Sequence, residues 1–336
     1  MINGHGDDLH LYDCEIQYNF SSNVYYKGCP PALLSNLSTQ LDTVQRYPSP
    51  MASELNLVAA EKFELPPYQF LFTNGATEAF YLIAHLFAGK SAAILAPTFA
   101  EYEDACRAHA LNYTLVDRTQ LQPDDFDLVF ICNPNNPDGS IIPTAELLSM
   151  IDSTPGTTFV IDEAYIEFTN QVTSLAPGLA DDLENLIIVR SLTKTFAIPG
   201  IRLGYVMADP EMIEAMLNKK MPWSVNTLAI QAGLQLFRQY DQWQFDVNEL
   251  LAETDDFKRQ LSEIDWVTVK PGFTSYFLLE LHKGTAAELK EYLAYKHGIL
   301  IRDATNFKGL KGEHVRLATQ DKFANSALIK ALKDWN

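Results

Sequence analysis

The sequence is short of cysteines, of long apolar runs and of basic residues, and each shortage excludes a class of protein. Its four cysteines form no C-x-x-C pair, and no histidine lies at metal-ligand spacing from them. We therefore expect reduced thiols in a cytoplasmic protein without a metal site. The polar start, residues 1–8, lacks the features of a signal peptide. No apolar run reaches the length of a membrane span.

Acidic residues outnumber basic ones by 43 to 25, which gives a formal net charge of -18. Such a surface disfavours nucleic acid and anionic membranes as partners. A small anionic ligand would need a local cluster of arginines that acts against this overall field. Because 47% of the 336 residues are hydrophobic, the chain can bury a large core and form two subdomains.

Residues 69–207 alternate between short apolar runs and helical patterns, which predicts an α/β fold. The expected strands are 69–72, 92–95, 112–116, 128–131, 159–161, 186–189 and 203–206, with helices at 77–87, 100–110 and 144–151. Several runs lack polar alternation, so we expect a mostly parallel, doubly wound sheet that is buried on both faces. Ligands of such sheets bind at the carboxyl ends of the strands.

The last 70 residues change pattern and predict a smaller α+β domain. Its expected strands are 266–270, 275–281, 299–302 and 315–318, with helices at 285–297 and 321–335. The predicted division is an N-terminal arm, residues 1–48, that joins the small domain, a large domain, residues 49–225, and a small domain, residues 226–336.

Lys194 lies in a hydroxyl-rich turn directly after the apolar run 186–189. Such an amine can form a Schiff base with a cofactor aldehyde. Ser191 and Arg202, close by in the chain, could hold a phosphate on the same cofactor. The alternative is a strand followed by a solvated lysine loop, and the S-x-x-K spacing alone does not decide between the two.

Two upstream motifs each allow a binding role and a plain structural one. The stretch 73–78 opens a helix, where Ala76 and Thr77 could bind phosphate, although it also fits an ordinary helix cap. Phe99 follows the next strand and could stack on a flat ring, although most single aromatic residues belong to the core.

Two further motifs follow the strands 128–131 and 159–161. Two Asn-Pro steps place Asn136 in a turn-rich loop, where its amide could donate to a phenolate oxygen. Asp162 could pair with a protonated pyridine nitrogen, and Tyr165 could reach the ring oxygen. The alternative for Asp162 is an acid at the start of a helix. Together the four motifs and the lysine turn specify one ligand, pyridoxal 5'-phosphate.

The order N-G-x-T-E, P-x-F-x-E-Y, N-P-N-N-P-x-G, D-E-A-Y, S-x-x-K, R-L-G-Y resembles the aspartate-aminotransferase superfamily of pyridoxal-phosphate enzymes. The resemblance covers nearly the whole chain and implies fold type I, with a mostly parallel seven-stranded sheet in the large domain. It implies Lys194 as the Schiff-base lysine, Asp162 at the ring nitrogen, Asn136 and Tyr165 at the ring oxygen, Phe99 on the ring, Ala76, Thr77, Ser191 and Arg202 at the phosphate, and Tyr47 at the partner subunit's phosphate in a homodimer. Asp138 departs from the pattern, which usually has threonine there.

Two branches of the superfamily fit the short length, and both act on amines that carry a phosphate. The string M-P-W-S-V-N at 221–226 and N-F-S-S-N, which ends at Asn23, resemble the threonine-phosphate decarboxylases of cobalamin biosynthesis. By this resemblance Arg316 takes the substrate carboxylate, Arg302 and His5 take its phosphate, and Asn23 lies at the substrate. The arm departs from the branch, because Asp7 stands where a second glycine is expected.

Alternatives remain open at this point. Arg302 could instead form a surface ion pair with Asp303 or Glu313, and His5 could lie in a frayed tail. The activity could be that of a histidinol-phosphate aminotransferase, which breaks the Cα–H bond and not the Cα–carboxylate bond. The third alternative is a non-catalytic relative that keeps only the cofactor fold.

Overall fold

Two separate β-sheets organise the chain, which a computed structural model describes over residues 6–180 and 183–335. A third, two-stranded pairing connects the N-terminal segment to the second half of the chain. The strands are β1 (Tyr18–Asn19), β2 (Phe70–Thr73), β3 (Ser91–Leu95), β4 (Asn112–Val116), β5 (Leu128–Cys132), β6 (Thr158–Asp162), β7 (Leu186–Ser191), β8 (Gly204–Ala208), β9 (Val267–Val269), β10 (Tyr276–Leu281), β11 (Ile299–Leu300), β12 (Arg302–Asp303) and β13 (Glu313–Ala318).

Helices cover both faces of the larger sheet and one side of the smaller one. They are α1 (Pro31–Thr39), α2 (Glu54–Phe63), α3 (Gly75–Leu86), α4 (Glu101–Ala108), α5 (Thr144–Ser153), α6 (Ala176–Ala180), α7 (Leu192–Thr195), α8 (Pro210–Leu217), α9 (Thr227–Arg238), α10 (Tyr240–Trp243), α11 (Val247–Leu261), α12 (Ala286–His297) and α13 (Lys322–Lys333). The borders of the predicted helices α3, α4, α5 and α12 differ from these by at most two residues.

The larger sheet has seven strands in the order β2-β8-β7-β6-β5-β3-β4. Only β8 runs antiparallel to its neighbours, β2 and β7, and the remaining pairs are parallel. Strands β2, β5 and β7 are buried at every residue, because apolar clusters cover both faces. The predicted α/β fold of type I with a mostly parallel seven-stranded sheet is confirmed.

The smaller sheet is antiparallel, in the order β12-β13-β10-β9, and α12 and α13 pack on it. The single strand predicted at 299–302 was wrong, because two short strands with different partners share this segment. Strand β11 pairs in parallel with β1 from the arm, whereas β12 pairs with β13. This switch places Arg302 directly opposite Arg316 across the sheet.

The N-terminal segment contacts both halves of the fold. Strand β1 pairs with β11 of the small sheet, whereas Leu33 and Leu37 of α1 lie in the core under the large sheet. Helix α9 packs against α1 and α2 in that same core. The division into arm, large domain and small domain at residues 48 and 225 stays a prediction. Across residues 6–180 and 183–335, no helix combines the length and apolarity needed to cross a membrane.

Candidate active site

Several carboxyl ends of the large sheet converge on one cavity. It is lined by nine of the ten residues predicted to hold the cofactor, namely Ala76, Thr77, Phe99, Asn136, Asp162, Tyr165, Ser191, Lys194 and Arg202. The chain brings them together because β2, β5, β6 and β7 each end at the same edge of the sheet and continue into a loop or helix there. The tenth residue, Tyr47, lies elsewhere.

Lys194 extends into this cavity from the short helix α7, which begins directly after β7. Burial lowers the pKa of Lys194 to about 8, and the positive charges of Arg316 and Arg202 act in the same direction. An amine with this pKa exchanges protons near neutral pH, which a base or a nucleophile at this position must do. The alternative of a solvated lysine loop does not fit a half-buried side chain that lines this cavity.

Asp162 ends strand β6 and is only 4% exposed. Tyr102 of α4 donates its hydroxyl to Asp162 Oδ2 at 2.5 Å, and the Ala164 N–H donates to Oδ1 at 2.9 Å. Burial raises the pKa of Asp162 to about 6, although both hydrogen bonds favour the ionised form. Our reading of the sequence assigned no role to Tyr102, although the P-x-F-x-E-Y motif contains it.

The start of α3 forms a cradle beneath Arg202. Gly75 has φ +75°, and a Cβ there would come within 2.4 Å of the Arg202 guanidinium. The N-cap residue Asn74 makes no side-chain cap in the described structure, so the plain capping box considered above does not form. Instead Glu78 accepts from the Asn74 N–H, and Ser224 of the M-P-W-S string donates to Glu78 at 3.0 Å.

A buried ion network lies behind the cavity and explains the second acid of D-E-A-Y. Arg190, 4% exposed, pairs with Glu163 at 3.0 Å and also with Glu167. Tyr240 and Thr195 donate to Glu167 as well, at 2.6 and 3.1 Å. Because each buried carboxylate has a cation or hydroxyl partner, the cost of burying it is largely offset. Glu163 and Thr195 are the chain neighbours of Asp162 and Lys194, so the network holds both in place.

Asn136 and Tyr165 both line the cavity, and both are buried. Arg316 donates from Nη1 to Asn136 Oδ1 and from Nη2 to the Ser21 carbonyl. Within residues 6–180 and 183–335, Arg316 Nε and both side-chain amide atoms of the buried Asn23 meet no hydrogen-bond partner. Buried polar atoms without partners are rare and point to a ligand.

Arg302 and Arg316 face each other across β12 and β13, and each is 5% exposed. Arg302 donates from Nη2 to Asn306 at 2.8 Å, and its guanidinium lies 5.3 Å from the Phe307 ring. Burial and the neighbouring charge of Arg316 lower the pKa of Arg302 to about 10. The alternative of a surface ion pair does not fit a buried guanidinium.

The two departures from the superfamily pattern have local explanations. Asp138 Oδ1 accepts from Asn135 at 2.8 Å and from the Ser140 N–H and hydroxyl, so this side chain closes its own turn. Asp7 has φ +65°, the conformation that a glycine would adopt there, and it accepts from Asn19 at 2.6 Å. The predicted phosphate ligand His5 lies outside the described residues.

Tyr47 stands apart from the cavity of its own chain and is 88% exposed. Its ring lies 5.6 Å from the ring of Trp223, another residue of the M-P-W-S string. Leu41 and Val44, which precede Tyr47 in the chain, are also exposed, and so is Met221, which precedes Trp223.

The residues around the cavity fit pyridoxal 5'-phosphate. The hydrogen bonds to the buried Asp162 come from neutral donors, so a protonated ring nitrogen would supply the missing positive charge. The uncapped start of α3 lies beneath Arg202 and suits a phosphate. Lys194 shares the cavity with both and carries the amine that an aldehyde needs.

Comparisons with known proteins agree with this geometry. The profile of the family "Aminotransferase class I and II" matches residues 15–331. The chain is 32% identical over 333 residues to threonine-phosphate decarboxylase from Salmonella typhimurium, covering 94% of this chain and 90% of the relative. It is 28% identical to a histidinol-phosphate aminotransferase from Caldanaerobacter subterraneus, covering 95% and 93%. The crystal structure of L-threonine-O-3-phosphate decarboxylase from Porphyromonas gingivalis superposes with a TM-score of 0.90 at 37% identity, covering 94% and 98%.

Proposed function

The chain belongs to the class I and II aminotransferase family, and from this premise we propose that it is a lyase dependent on pyridoxal 5'-phosphate. Its reaction is the decarboxylation of L-threonine O-3-phosphate to (R)-1-amino-2-propanol O-2-phosphate, a step of cobalamin biosynthesis. The observation that carries this proposal is the buried pair Arg302 and Arg316, which lies beside the cofactor cavity. A substrate with a carboxylate and a phosphate supplies one anion for each guanidinium.

The substrate is held by the small sheet and the arm. Arg316 binds the carboxylate, for which its unpartnered Nε is available, and Arg302 binds the phosphate together with His5. Asn23 is 4% exposed and belongs to the same arm segment as Ser21, which binds Arg316, and it contacts the substrate there. Arg302 and Arg316 sit on adjacent strands of one sheet, so they hold the two anions at a fixed separation.

The cofactor is held by the residues that line the cavity. Arg202, Ser191, Ala76 and Thr77 bind its phosphate, Asn136 and Tyr165 its ring oxygen, and Phe99 its ring face. Asp162 keeps a proton on the ring nitrogen, because its buried carboxylate has a pKa of about 6 and is ionised above that pH. Bound in this way, pyridoxal 5'-phosphate supplies an electron sink for the electron pair that the departing carboxylate leaves on the substrate Cα.

Lys194 moves the proton that completes the reaction. When the bond from Cα to the carboxylate breaks, carbon dioxide leaves, and a proton from Lys194 Nζ takes its place on Cα. The pKa of about 8 keeps most of this amine protonated at neutral pH and makes it a ready donor. If the substrate presents its Cα–H bond to the reaction instead, the same amine acts as the base and transamination follows.

A single-turnover assay distinguishes these outcomes. The purified holoenzyme is mixed with threonine phosphate, and carbon dioxide and aminopropanol phosphate are quantified. We expect stoichiometric release of both. Glutamate-dependent conversion of histidinol phosphate without carbon dioxide would assign the protein to the aminotransferases. Failure to bind added cofactor, measured by visible absorbance, would support a non-catalytic relative.

The proposed enzyme is a cytoplasmic homodimer. The exposed apolar residues Leu41, Val44, Tyr47, Met221 and Trp223 support the dimer, since a group of this kind is typical of an interaction surface. In this arrangement Tyr47 reaches the cofactor phosphate of the partner subunit. All four cysteines are free thiols, which supports a reducing compartment.

A further inference from the structure

A second cavity adjoins the cofactor cavity and shares Phe99 and Asn136 with it. Its lining includes both substrate arginines, Arg302 and Arg316, and also Lys308, which the sequence motifs do not mark. A phosphate monoester carries a charge of about -2 at neutral pH. If Arg316 is engaged by the carboxylate, Arg302 is the one arginine left for the phosphate, and one guanidinium does not balance a dianion even when His5 also contacts it.

Lys308 is held at the rim of this cavity by its own loop. Gly309, with φ +99°, packs against the Pro97 backbone. A Cβ added to this glycine would lie 3.3 Å from the Pro97 nitrogen. Phe307 is 8% exposed and lies against Arg302, which fixes the other side of the loop. The backbone of Lys308 is therefore anchored on both sides, whereas its long side chain can move.

The present partner of Lys308 is Glu103, which its Nζ contacts at 2.5 Å. The lysine side chain is 56% exposed, whereas that of Glu103 is only 10% exposed, so the lysine is the member of the ion pair that solvent reaches. Glu103 also accepts from the Tyr113 hydroxyl at 3.1 Å, so it keeps a hydrogen bond when the lysine leaves. An anion that enters the cavity can therefore compete for the ammonium group, and the hydrogen bond from Tyr113 offsets part of the cost of leaving Glu103 without its cation.

We propose that Lys308 is a third cationic ligand of the substrate phosphate, and that substrate binding moves its ammonium group from Glu103 to the phosphate. The inference rests on the proposed function, since it requires a phosphorylated substrate. It adds to that function a lysine that pairs with Glu103 until the substrate phosphate binds. Lysine suits this part because its flexible stem lets one charge reach either of two anions.

The test compares four holoenzymes: the natural protein, Lys308→Gln, Lys311→Gln and Glu103→Gln. Lys311 lies three residues away on the same loop, is exposed and does not line the cavity, so it is the matched control. We measure kcat and KM for threonine phosphate, and the dissociation constant of inorganic phosphate by calorimetry. In the holoenzyme the cofactor's own phosphate fills the Arg202 site.

We expect Lys308→Gln to raise KM and the phosphate dissociation constant about tenfold, the effect of losing one charge-assisted contact, while kcat stays within about twofold. Lys311→Gln should change neither. Glu103→Gln should lower KM by up to about fivefold, since it frees the lysine from its ion pair. Turnover of unphosphorylated threonine should respond to none of the three.

Equal effects of Lys308→Gln and Lys311→Gln would overturn the proposal, because they would reflect the general charge of the loop. An increase in KM in Glu103→Gln would also overturn it, since the pair would then be needed intact. The calorimetric measurement requires no turnover. A wrong substrate assignment therefore appears in the product of the natural enzyme, and a wrong role for Lys308 appears in phosphate affinity.

Discussion

The hydroxyl of Tyr102 sets the ionisation of Asp162, and Tyr102→Phe tests this. The substitution removes a hydrogen bond to a buried carboxylate, worth about 1.5–3 kcal/mol. Since this bond favours the ionised form, its loss raises the pKa of Asp162 from about 6 by about one to two pH units. At pH 7 the carboxylate changes from mostly ionised to half ionised or less. A weaker hold on the ring-nitrogen proton should then lower kcat about tenfold.

Two assays check this prediction. Carbon-13 NMR of labelled aspartate reports the pKa of Asp162 in the cofactor-free protein, and the pH profile of kcat reports the effect in the holoenzyme. The variant keeps the ring, which stacks on Phe130 with centroids 5.4 Å apart, so we expect it to fold. Tyr81→Phe is the control, because Tyr81 also donates to a carboxylate, that of Glu101 at 3.2 Å. An unchanged pKa of Asp162 in Tyr102→Phe would refute the reasoning.

Three further perturbations have defined outcomes. Arg190→Met leaves two buried carboxylates without their cation, so the free energy of unfolding in urea should fall by about 3–5 kcal/mol, with Arg190→Lys losing less. Gly75→Ala places a Cβ within 2.4 Å of Arg202 at a positive φ, so equilibrium dialysis should show cofactor affinity at least about tenfold lower. Trp223→Glu places a charge beside Tyr47, so light scattering should show a dimer for the natural protein and monomers for the variant; a stable dimer of the variant would contradict this location of the interface.

The architecture of the large domain could be predicted because its strands are apolar on both faces. Strand β5 and residues 186–189 of β7 are uninterrupted apolar runs, which a sheet covered on both sides can bury. Strand direction is different, since the antiparallel β8 is as fully buried as the parallel strands β5 and β7. The segment 299–302 was misread for a related reason. Its change of partner from β1 to β13 depends on contacts between distant parts of the chain, which local periodicity does not report.

The cofactor cavity could be predicted because each of its motifs ends a strand, and strand ends of a parallel sheet meet. Lys194, Asp162 and Arg202, more than 30 residues apart at the extremes, line one cavity for this reason. The roles of Tyr102 and Lys308 could not be predicted from the sequence, because each depends on a residue that is close in space and distant in the chain. A tyrosine that donates to a buried acid and a lysine at the rim of a cavity have no distinctive spacing in the chain. Only the fold brings Tyr102 to Asp162 and Lys308 to Glu103.

Two guanidinium groups on directly opposed residues of neighbouring strands repel each other, and like charges so placed weaken a sheet. The repulsion between Arg302 and Arg316 thus destabilises the small sheet, and a bound dianion reduces this repulsion. Ligand binding is consequently coupled to the stability of the sheet. A ligand at a hundred times its dissociation constant should add about 2.7 kcal/mol to the stability of the protein. Amino acids with no phosphate leave the repulsion between Arg302 and Arg316 in place, so we expect them to bind more weakly and to stabilise the protein less.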